Sequence, residues 1–328
     1  MISSLWVYRA SGSDPFENLA REQVLLEQGP ADGLVLYLWQ NENTVVIGRN
    51  QNAFKECRVS LLEEEGGRLA RRLSGGGAVF HDKGNLNFTF LLPREDFDVR
   101  RQLEVICAAC RELGIPAAIS GRNDLTAAGY KFSGNAFYKN GGRAYHHGTL
   151  LLNVDMGKLG RYLSPPKAKL QAKGVDSVRA RVTNLTSFVP DLSVDTMKKQ
   201  LVLVAEKVYG FTAQDLVLTP EQEAEAARLT AHYASREWRF SANVPAAFSC
   251  EKTFPWGTVS LELQVERGVI THAGVFTDAM EWELSQQLQQ ALEGRAFSRA
   301  AMQESLLSME IQPNIRDDLV RMLAEQEI

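Results

Sequence analysis

Three consecutive glycines, Gly75 to Gly77, lie in the segment that most restricts what this 328-residue chain can form. A run of residues without side chains lets successive backbone N–H groups approach an anion closely. Arg71 and Arg72 precede the glycines and bring positive charge on donors suited to phosphate or carboxylate. Ala78 to Phe80 follow with the composition of a strand that could line an apolar pocket. These neighbours favour an anion-binding loop over a flexible turn beside a surface charge pair.

The composition of the chain and the residues around the glycine run exclude several classes of protein. The formal net charge of −4 and the isoelectric point near 5.9 argue against a nucleic-acid-binding surface as the main feature. No apolar run approaches the roughly 20 residues of a membrane span, and the first residues lack a secretion signal, so we expect a cytoplasmic protein without membrane contact. The glycine run is neither a Walker A loop, because no Gly-Lys-Ser/Thr follows, nor a dinucleotide-binding Gly-x-Gly-x-x-Gly loop.

A second segment places Lys131 where a loop can deliver a side chain into a cleft. The lysine stands between Gly129 and Gly134, just ahead of a predicted strand. A lysine in that position can neutralise charge on a carboxylate and a phosphate together. Asn123 and Asp124 could orient this lysine or hold Mg²⁺ through oxygen ligands, and the spacing leaves both roles open.

Two further segments carry weaker signals. His146 and His147 are adjacent on a predicted strand, so they point to opposite faces, and a structural role is as good an interpretation as a functional one. The stretch from Lys167 to Arg181 has five basic residues and one acidic residue, Asp176. It is either a solvated loop or a mobile loop that closes over phosphates or meets an acidic protein. No Ser/His/Asp group stands out, and Cys57 has no base near it in sequence.

The order of the predicted elements favours an α+β fold with a mixed or antiparallel sheet. A helix should begin at Pro15 with Asp14 as its cap and end at Gly29, followed by a hairpin of residues 34–39 and 44–47. Residues 86–92 alternate as a strand with one polar face. Periodicity fails at residues 241–249, which predicts a large domain of residues 1–243 and a small α+β accessory domain of residues 250–328.

Taken together, these segments resemble the lipoate–protein ligase A family, which belongs to the biotin/lipoate protein ligase superfamily. The matching positions are Asn18 to Ala20 with Glu22, Thr44 to Asn52, Arg71 to Asp82, Gly121 to Asp124, Lys131 to Ala136, His146 to Leu152, Lys173 to Leu185, Trp256-Gly257 and Phe276 to Asp278. The motifs Arg-Arg-x-Ser-Gly-Gly-Gly-Ala-Val-Phe-His-Asp and Lys-x-Ser-Gly-Asn-Ala are specific as a pair. The likeness covers nearly the whole chain.

The resemblance implies a role for individual residues. Contacts to ATP or the acyl-adenylate are implied for Arg72, Gly77, Ala78, Val79, Phe80, Lys131, Lys173, Gly174, Val175 and Arg181. Contacts to lipoate are implied for Arg72, Gly75, Gly76, Lys131, His81, His147, Gly148 and Thr149. Lys131 is the implied catalytic residue, and Asp124 is the candidate metal ligand.

The resemblance also implies an activity, which is the ATP- and Mg²⁺-dependent attachment of lipoate to a protein lysine through lipoyl-AMP. The implied acceptors are lipoyl domains of 2-oxo-acid dehydrogenases and the glycine-cleavage H protein, and the implied enzyme is a monomer. Two alternatives remain open at this point. One is an ATP-independent octanoyl or lipoyl transferase of the same superfamily, and the other is a non-catalytic lipoate-binding protein. Biotin ligation is disfavoured by the particular residues of the two motifs.

Overall fold

A mixed sheet of eight strands forms the frame of the protein, in a computed structural model that describes residues 2–121, 124–163, 182–240, 248–266 and 268–326. The strands are β1 (Ser4–Arg9), β2 (Gly33–Trp39), β3 (Thr44–Ile47), β4 (Arg68–Arg71), β5 (Val79–His81), β6 (Asn85–Pro93), β7 (Ala117–Ser120), β8 (Asp124–Ala127), β9 (Tyr130–Asn140), β10 (Arg143–Leu151), β11 (Ala213–Asp215), β12 (Phe248–Phe254), β13 (Gly257–Glu266) and β14 (Val269–Thr277).

The helices lie between these strands and at the end of the chain. They are α1 (Pro15–Gln28), α2 (Ala53–Glu56), α3 (Val59–Glu64), α4 (Val99–Glu112), α5 (Met156–Tyr162), α6 (Val194–Tyr209), α7 (Pro220–Ala234), α8 (Arg236–Phe240), α9 (Leu284–Leu292), α10 (Arg299–Leu307) and α11 (Pro313–Ala324), with 3₁₀ turns at Arg94–Asp96 and Leu185–Ser187. Within the described residues, no helix combines the length and apolar character needed to cross a membrane.

The large sheet has the strand order β11-β1-β2-β6-β10-β9-β8-β7. Its first pairs, β11 with β1 and β1 with β2, are parallel, and all later pairs are antiparallel. The helices α1 and α7 cover one face, and α4 and α6 cover the other. This arrangement confirms the predicted α+β class with a mixed sheet, because helices and antiparallel strands are not strictly alternating.

Local sequence signals set the start of the fold. Asp14 caps α1 by accepting hydrogen bonds from the N–H groups of Phe16 and Glu17, Pro15 occupies the first turn, and Gly29 follows the last turn, all as predicted. The predicted hairpin of β2 and β3 is wrong. β2 is buried along its whole length and pairs with β1 and β6, whereas β3 joins β4 and β5 in a separate three-stranded sheet. Packing inside the large sheet buries both faces of β2, which stabilises this apolar strand more than a hairpin with β3 would.

The C-terminal part has a core of its own. β12, β13 and β14 form an antiparallel sheet, and α9, α10 and α11 pack against it. Its apolar cluster consists entirely of residues beyond position 247, including Val259, Leu261 and Leu288, each fully buried. The predicted small α+β accessory domain therefore exists, while its proposed limits at residues 243 and 250 stay predictions.

Gly148 is a position where packing itself excludes a side chain. A Cβ at this position on β10 would lie 2.5 Å from Asn135 Oδ1, 2.7 Å from Phe88 Cζ and 2.9 Å from the Gly134 carbonyl oxygen. We expect Gly148→Ala to lower the free energy of unfolding by about 1–3 kcal/mol, because a rigid strand neighbour must shift. Urea unfolding at equilibrium measures the change.

Gly142→Ala serves as the matched control, since a Cβ there meets nothing within 4 Å. It should change the free energy of unfolding by less than about 0.5 kcal/mol. Equal stability of the two variants would contradict the packing argument.

Candidate active site

A cavity of about 360 Å³ crosses the large sheet along one row of paired residues. Trp39 on β2 pairs with Asn87 on β6, and Asn87 pairs with Thr149 on β10. The Thr149 hydroxyl accepts a hydrogen bond from Gly134 N–H at 3.2 Å, and Gly134 pairs with Asp124 on β8. Directly paired residues point to the same face of a sheet, so these five positions line one continuous channel.

The lining combines residues from both parts of the chain. It consists of Leu19, Trp39, Val46, Arg72, Gly76, Gly77, Ala78, Val79, His81, Asn87, Asp124, Lys131, Gly134, Asn135, Ala136, His147, Gly148, Thr149, Asp278 and Met280. Most residues singled out in the sequence and described in the structure thus meet at one site. Leu19, Trp39, Asn87 and the pair Asp278 and Met280 were not predicted as site residues. The predicted polar face of β6 was the signal for Asn87, because that face is fully buried and turns out to face the cavity.

Lys131 and Asp124 form the charged end of the channel. Lys131 Nζ lies 2.6 Å from Asp124 Oδ1, and the two side chains are 40% and 39% exposed. The tight β8–β9 hairpin brings them together, with Ala128 and Gly129 at positive φ in the turn. Of the two roles considered for Asp124, orienting the lysine is the one that the geometry displays. Val182 pairs with the backbone of Lys131, and Thr183 N–H donates to the Lys131 carbonyl.

Arg72 fixes the conformation of the glycine loop. Its Nη2 donates to the carbonyl oxygens of Gly75 at 2.7 Å and Gly77 at 2.8 Å, and its Nη1 donates to the Val46 carbonyl at 3.1 Å. The side chain is buried, and burial lowers the pKa of Arg72 to about 10, so the guanidinium remains charged at neutral pH. The charge lies against the carbonyl oxygens of the loop, and Arg72 also lines the channel.

Arg71 points away from the cavity, although the sequence suggested that both arginines could serve an anion. Its guanidinium donates to the carbonyl oxygens of Gly48, Arg49 and Gln51 and to those of Trp238 and Arg239. Adjacent residues at a strand end face opposite sides, so only one of the two can reach the channel. Arg71 instead ties the loop after β3 to helix α8.

His81 and His146 are buried and neutral. Burial, with the nearby Arg72 charge, lowers the pKa of His81 to about 3, and burial lowers the pKa of His146 to about 3. His81 Nδ1 lies 3.1 Å from Asn41 Nδ2, which fixes Nδ1 as the acceptor. His146 points into the core against Gln102, while His147 lines the cavity, so the two histidines face opposite sides as predicted.

The C-terminal domain closes one side of the cavity. Gly76 N–H donates to the Ala279 carbonyl at 3.2 Å, and Asn50 Nδ2 donates to the Trp282 carbonyl at 2.9 Å. A Cβ on Gly75 would lie 2.4 Å from the Ala279 carbonyl oxygen, so the first glycine of the run permits the domain contact. Gly75 therefore contacts the accessory domain, whereas Gly76 and Gly77 line the channel.

Some residues with implied contacts do not line the channel with their side chains or lie outside the described residues. Phe80 turns its ring away from the channel and packs 5.5 Å from the ring of Tyr162, because neighbours on β5 alternate in direction. Lys173, Gly174, Val175 and Arg181 lie outside the described residues. Among the described residues, no group of three or more His, Cys, Asp or Glu side chains could hold a metal ion. Asp124 and Asp278 are the carboxylates that line the channel.

Comparison with known families identifies the class of protein. Residues 14–205 match the model of the lipoyl protein ligase A/B catalytic domain, and residues 245–324 match that of the bacterial lipoate protein ligase C-terminus. The catalytic match covers more than half of the chain. This protein therefore belongs to the lipoyl protein ligase A/B family.

Solved structures show the same fold. LipL1 of P. falciparum, in complex with lipoate, shares 24% sequence identity over 98% of this chain and 100% of its own, with a TM-score of 0.86. A bi-partite lipoate protein ligase from Thermoplasma acidophilum, studied with its E2 lipoyl domain, shares 27% over 76% of this chain and 100% of its own, with a TM-score of 0.66. A lipoate-protein ligase A bound with ATP shares 26% over 73% of this chain and 99% of its own, with a TM-score of 0.64.

The neutral histidines predict how stability depends on pH. Because the folded-state pKa of His146 lies near 3, below its ordinary value of 6.5, the unfolded chain binds an extra proton as pH falls below about 6.5. Stability is therefore fully present above that pH and declines toward pH 3, by up to about 1.4 kcal/mol per pH unit for each such histidine. We expect His146→Gln to reduce this slope by about one proton, measured by urea unfolding between pH 6.5 and 4.5.

His232→Gln is the control, because the side chain of His232 is exposed. Its slope should match that of the unaltered protein. A His146→Gln slope identical to both would show that His146 is not held neutral by the fold.

Proposed function

We propose that this protein attaches lipoate to a lysine of lipoyl domains, using ATP and forming lipoyl-AMP as the intermediate. The channel between Lys131 and Trp39 is the observation that carries the proposal. Its Lys131 end is charged, and Trp39, Leu19 and Val46 make its other part apolar. A substrate with a carboxylate at one end and an apolar tail matches that polarity.

The length of the channel also suits this acid. Strand β9, which bears Lys131, and strand β2, which bears Trp39, are three strand spacings apart in the sheet. At about 4.8 Å per spacing, this is about 14 Å between the backbones. An extended chain of eight carbons, with C–C bonds of about 1.5 Å, spans about 9 Å and leaves room for the side chains at both ends.

In the first step, a lipoate carboxylate oxygen attacks the α-phosphorus of ATP. The new P–O bond forms as the bond between the α-phosphorus and the bridging oxygen breaks, and pyrophosphate leaves with that electron pair. Lys131 Nζ would lie between the carboxylate and the α-phosphate and offset their charge. Contacts to the nucleotide are proposed for the backbone N–H groups of Gly77 to Phe80, with Arg72 holding the loop behind them.

In the second step, the amine of an acceptor lysine attacks the carbonyl carbon of lipoyl-AMP. An amide bond forms, the bond between the carbonyl carbon and the phosphate oxygen breaks, AMP leaves with that electron pair, and the amine nitrogen releases a proton to water. The enzyme contributes position and electrostatics, with no covalent intermediate on the protein. Gly76, His81, His147, Gly148 and Thr149 are proposed to surround the acyl chain. A lipoyl domain and the glycine-cleavage H protein are the proposed acceptors, and the archaeal relative studied with its E2 lipoyl domain supports the first.

Mg²⁺ would balance charge on the ATP phosphates. This ion prefers phosphate oxygens and one or two carboxylates over an all-protein site. Asp124 and Asp278 fit that requirement, because both carboxylates line the channel. Asp124 would hold the ion only by sharing its carboxylate with Lys131.

A transferase without ATP is the rival within the family. Such an enzyme needs a nucleophilic cysteine at the channel or a differently used lysine. All cysteines of the chain are buried, none of them lines the channel in the described residues, and burial raises the pKa of Cys57 to about 12. These observations favour the ligase.

Replacement of Lys131 tests the proposed chemistry. Lys131→Ala should lower lipoate-dependent pyrophosphate release by a factor of about 100 or more, because the charge on the carboxylate and the α-phosphate loses its partner. The measurement is pyrophosphate release with ATP, Mg²⁺ and lipoate, followed by mass spectrometry of a lipoyl domain. The unaltered protein should add one lipoyl group to the domain.

Lys139→Ala is the matched control, since Lys139 is an exposed lysine on the same strand. It should keep the rate of the unaltered protein. Pyrophosphate release by Lys131→Ala at the rate of the control would remove Lys131 from the centre of the mechanism. Acyl transfer by the unaltered protein without ATP would establish the transferase instead.

A further inference from the structure

A chain of buried hydrogen bonds runs from Glu22 on α1 to Arg72 beside the glycine loop. Glu22 Oε1 lies 2.9 Å from His147 Nδ1, and His147 Nε2 lies 2.8 Å from Ser74 Oγ. Arg72 Nε donates to Ser74 Oγ at 3.0 Å. Glu22, Ser74 and His147 are 2%, 0% and 7% exposed. The contacts are therefore largely shielded from bulk water, although Arg72 and His147 also line the channel.

The direction of each hydrogen bond follows from its ends. Arg72 Nε can only donate, so Ser74 Oγ accepts from it. In the tautomer with the proton on Nδ1, His147 donates to the Glu22 carboxylate, and Nε2 accepts from the Ser74 hydroxyl. Thr89 Oγ1 accepts from Trp39 Nε1 at 3.0 Å and donates to the same Glu22 oxygen at 2.7 Å, so Glu22 is fixed from two sides.

The order Glu, His, Ser is that of a hydrolytic triad, but Ser74 is not placed as a nucleophile. Its hydroxyl oxygen takes the hydrogen bond of Arg72, and the residue is fully buried and does not line the channel. A nucleophile must reach the substrate. The triad instead ends on Arg72, the residue that holds the carbonyls of Gly75 and Gly77.

We propose that Glu22 and Ser74 are positioning residues that act through His147 to hold Arg72, and through Arg72 the glycine loop, in its nucleotide-binding form. Glu22 selects the His147 tautomer that can accept from Ser74. Ser74 then keeps an acceptor for Arg72 Nε, which sets the plane of the guanidinium. With that plane fixed, Nη1 and Nη2 reach their three carbonyls, and the glycine loop beside the channel keeps its conformation. The inference rests on the proposed function only in naming the nucleotide as the anion.

Two variants break the chain at different points. Glu22→Ala removes the acceptor for His147, and Ser74→Ala removes the link to Arg72. Each should weaken binding of α,β-methylene-ATP by about tenfold, the effect of one lost charge-assisted hydrogen bond on Arg72. Because Ser74 does not line the channel, Ser74→Ala should weaken lipoate binding much less, and calorimetry measures both ligands. Glu22→Gln keeps an acceptor oxygen and should restore most of the nucleotide affinity.

A double-mutant cycle decides whether Glu22 and Ser74 act through the same chain of hydrogen bonds. If the two residues act through one chain, the double variant should lose about tenfold, the same as each single variant, rather than about a hundredfold. Ser305→Ala, a buried serine of the accessory domain, is the control and should combine additively with Glu22→Ala. Additive losses for Glu22 and Ser74, or equal losses of nucleotide and lipoate affinity in Ser74→Ala, would overturn the proposal.

Nitrogen-15 NMR of the histidines tests the chain without any ligand. His147 should carry its proton on Nδ1 in the unaltered protein and shift toward Nε2 in Glu22→Ala. A proton on Nε2 in the unaltered protein would refute the chain directly. If the unaltered protein fails to bind the nucleotide while the NMR result holds, the proposed function fails and the hydrogen-bond chain stands.

Discussion

The buried guanidinium of Arg72 is the interaction on which the site depends. A charge removed from water needs partners, and Arg72 meets that need with backbone carbonyls instead of a carboxylate. This choice has a structural consequence. A carboxylate would neutralise the charge, whereas the carbonyls of Gly75 and Gly77 are oriented by it and leave the net positive charge in place behind the loop. The loop is thus held rigidly and has a positive electrostatic potential.

A single cross-strand row then gives the site its shape. Trp39, Asn87, Thr149, Gly134 and Asp124 are brought into line by register alone, so the channel inherits its direction and length from strand spacing. Such a channel is as rigid as the sheet beneath it. Side chains at one end or the other can differ between relatives without altering the path between them.

The sequence predicted the chemistry-bearing segments better than their spatial arrangement. Glycine runs, helix caps and a lysine between glycines act locally, so Asp14, the glycine loop and Lys131 were recognisable from neighbouring residues. The pairing of β2 with β6 was not, because a continuously apolar strand carries no periodicity that names its partner. The chain from Glu22 to Ser74 was missed for a related reason. Glu22 and His147 are 125 positions apart in the sequence, and His147 and Ser74 are 73 positions apart, so only the folded chain brings them together.

The close approach of Gly75 to Ala279 makes the fit between the two domains depend on a missing side chain. The missing side chain belongs to one domain, and the carbonyl that fills its space belongs to the other. A chimera that combined this catalytic domain with the accessory domain of a relative would have to preserve that fit at a single backbone atom. The segment around Ala279 and the glycine run therefore have to be exchanged together in such a chimera.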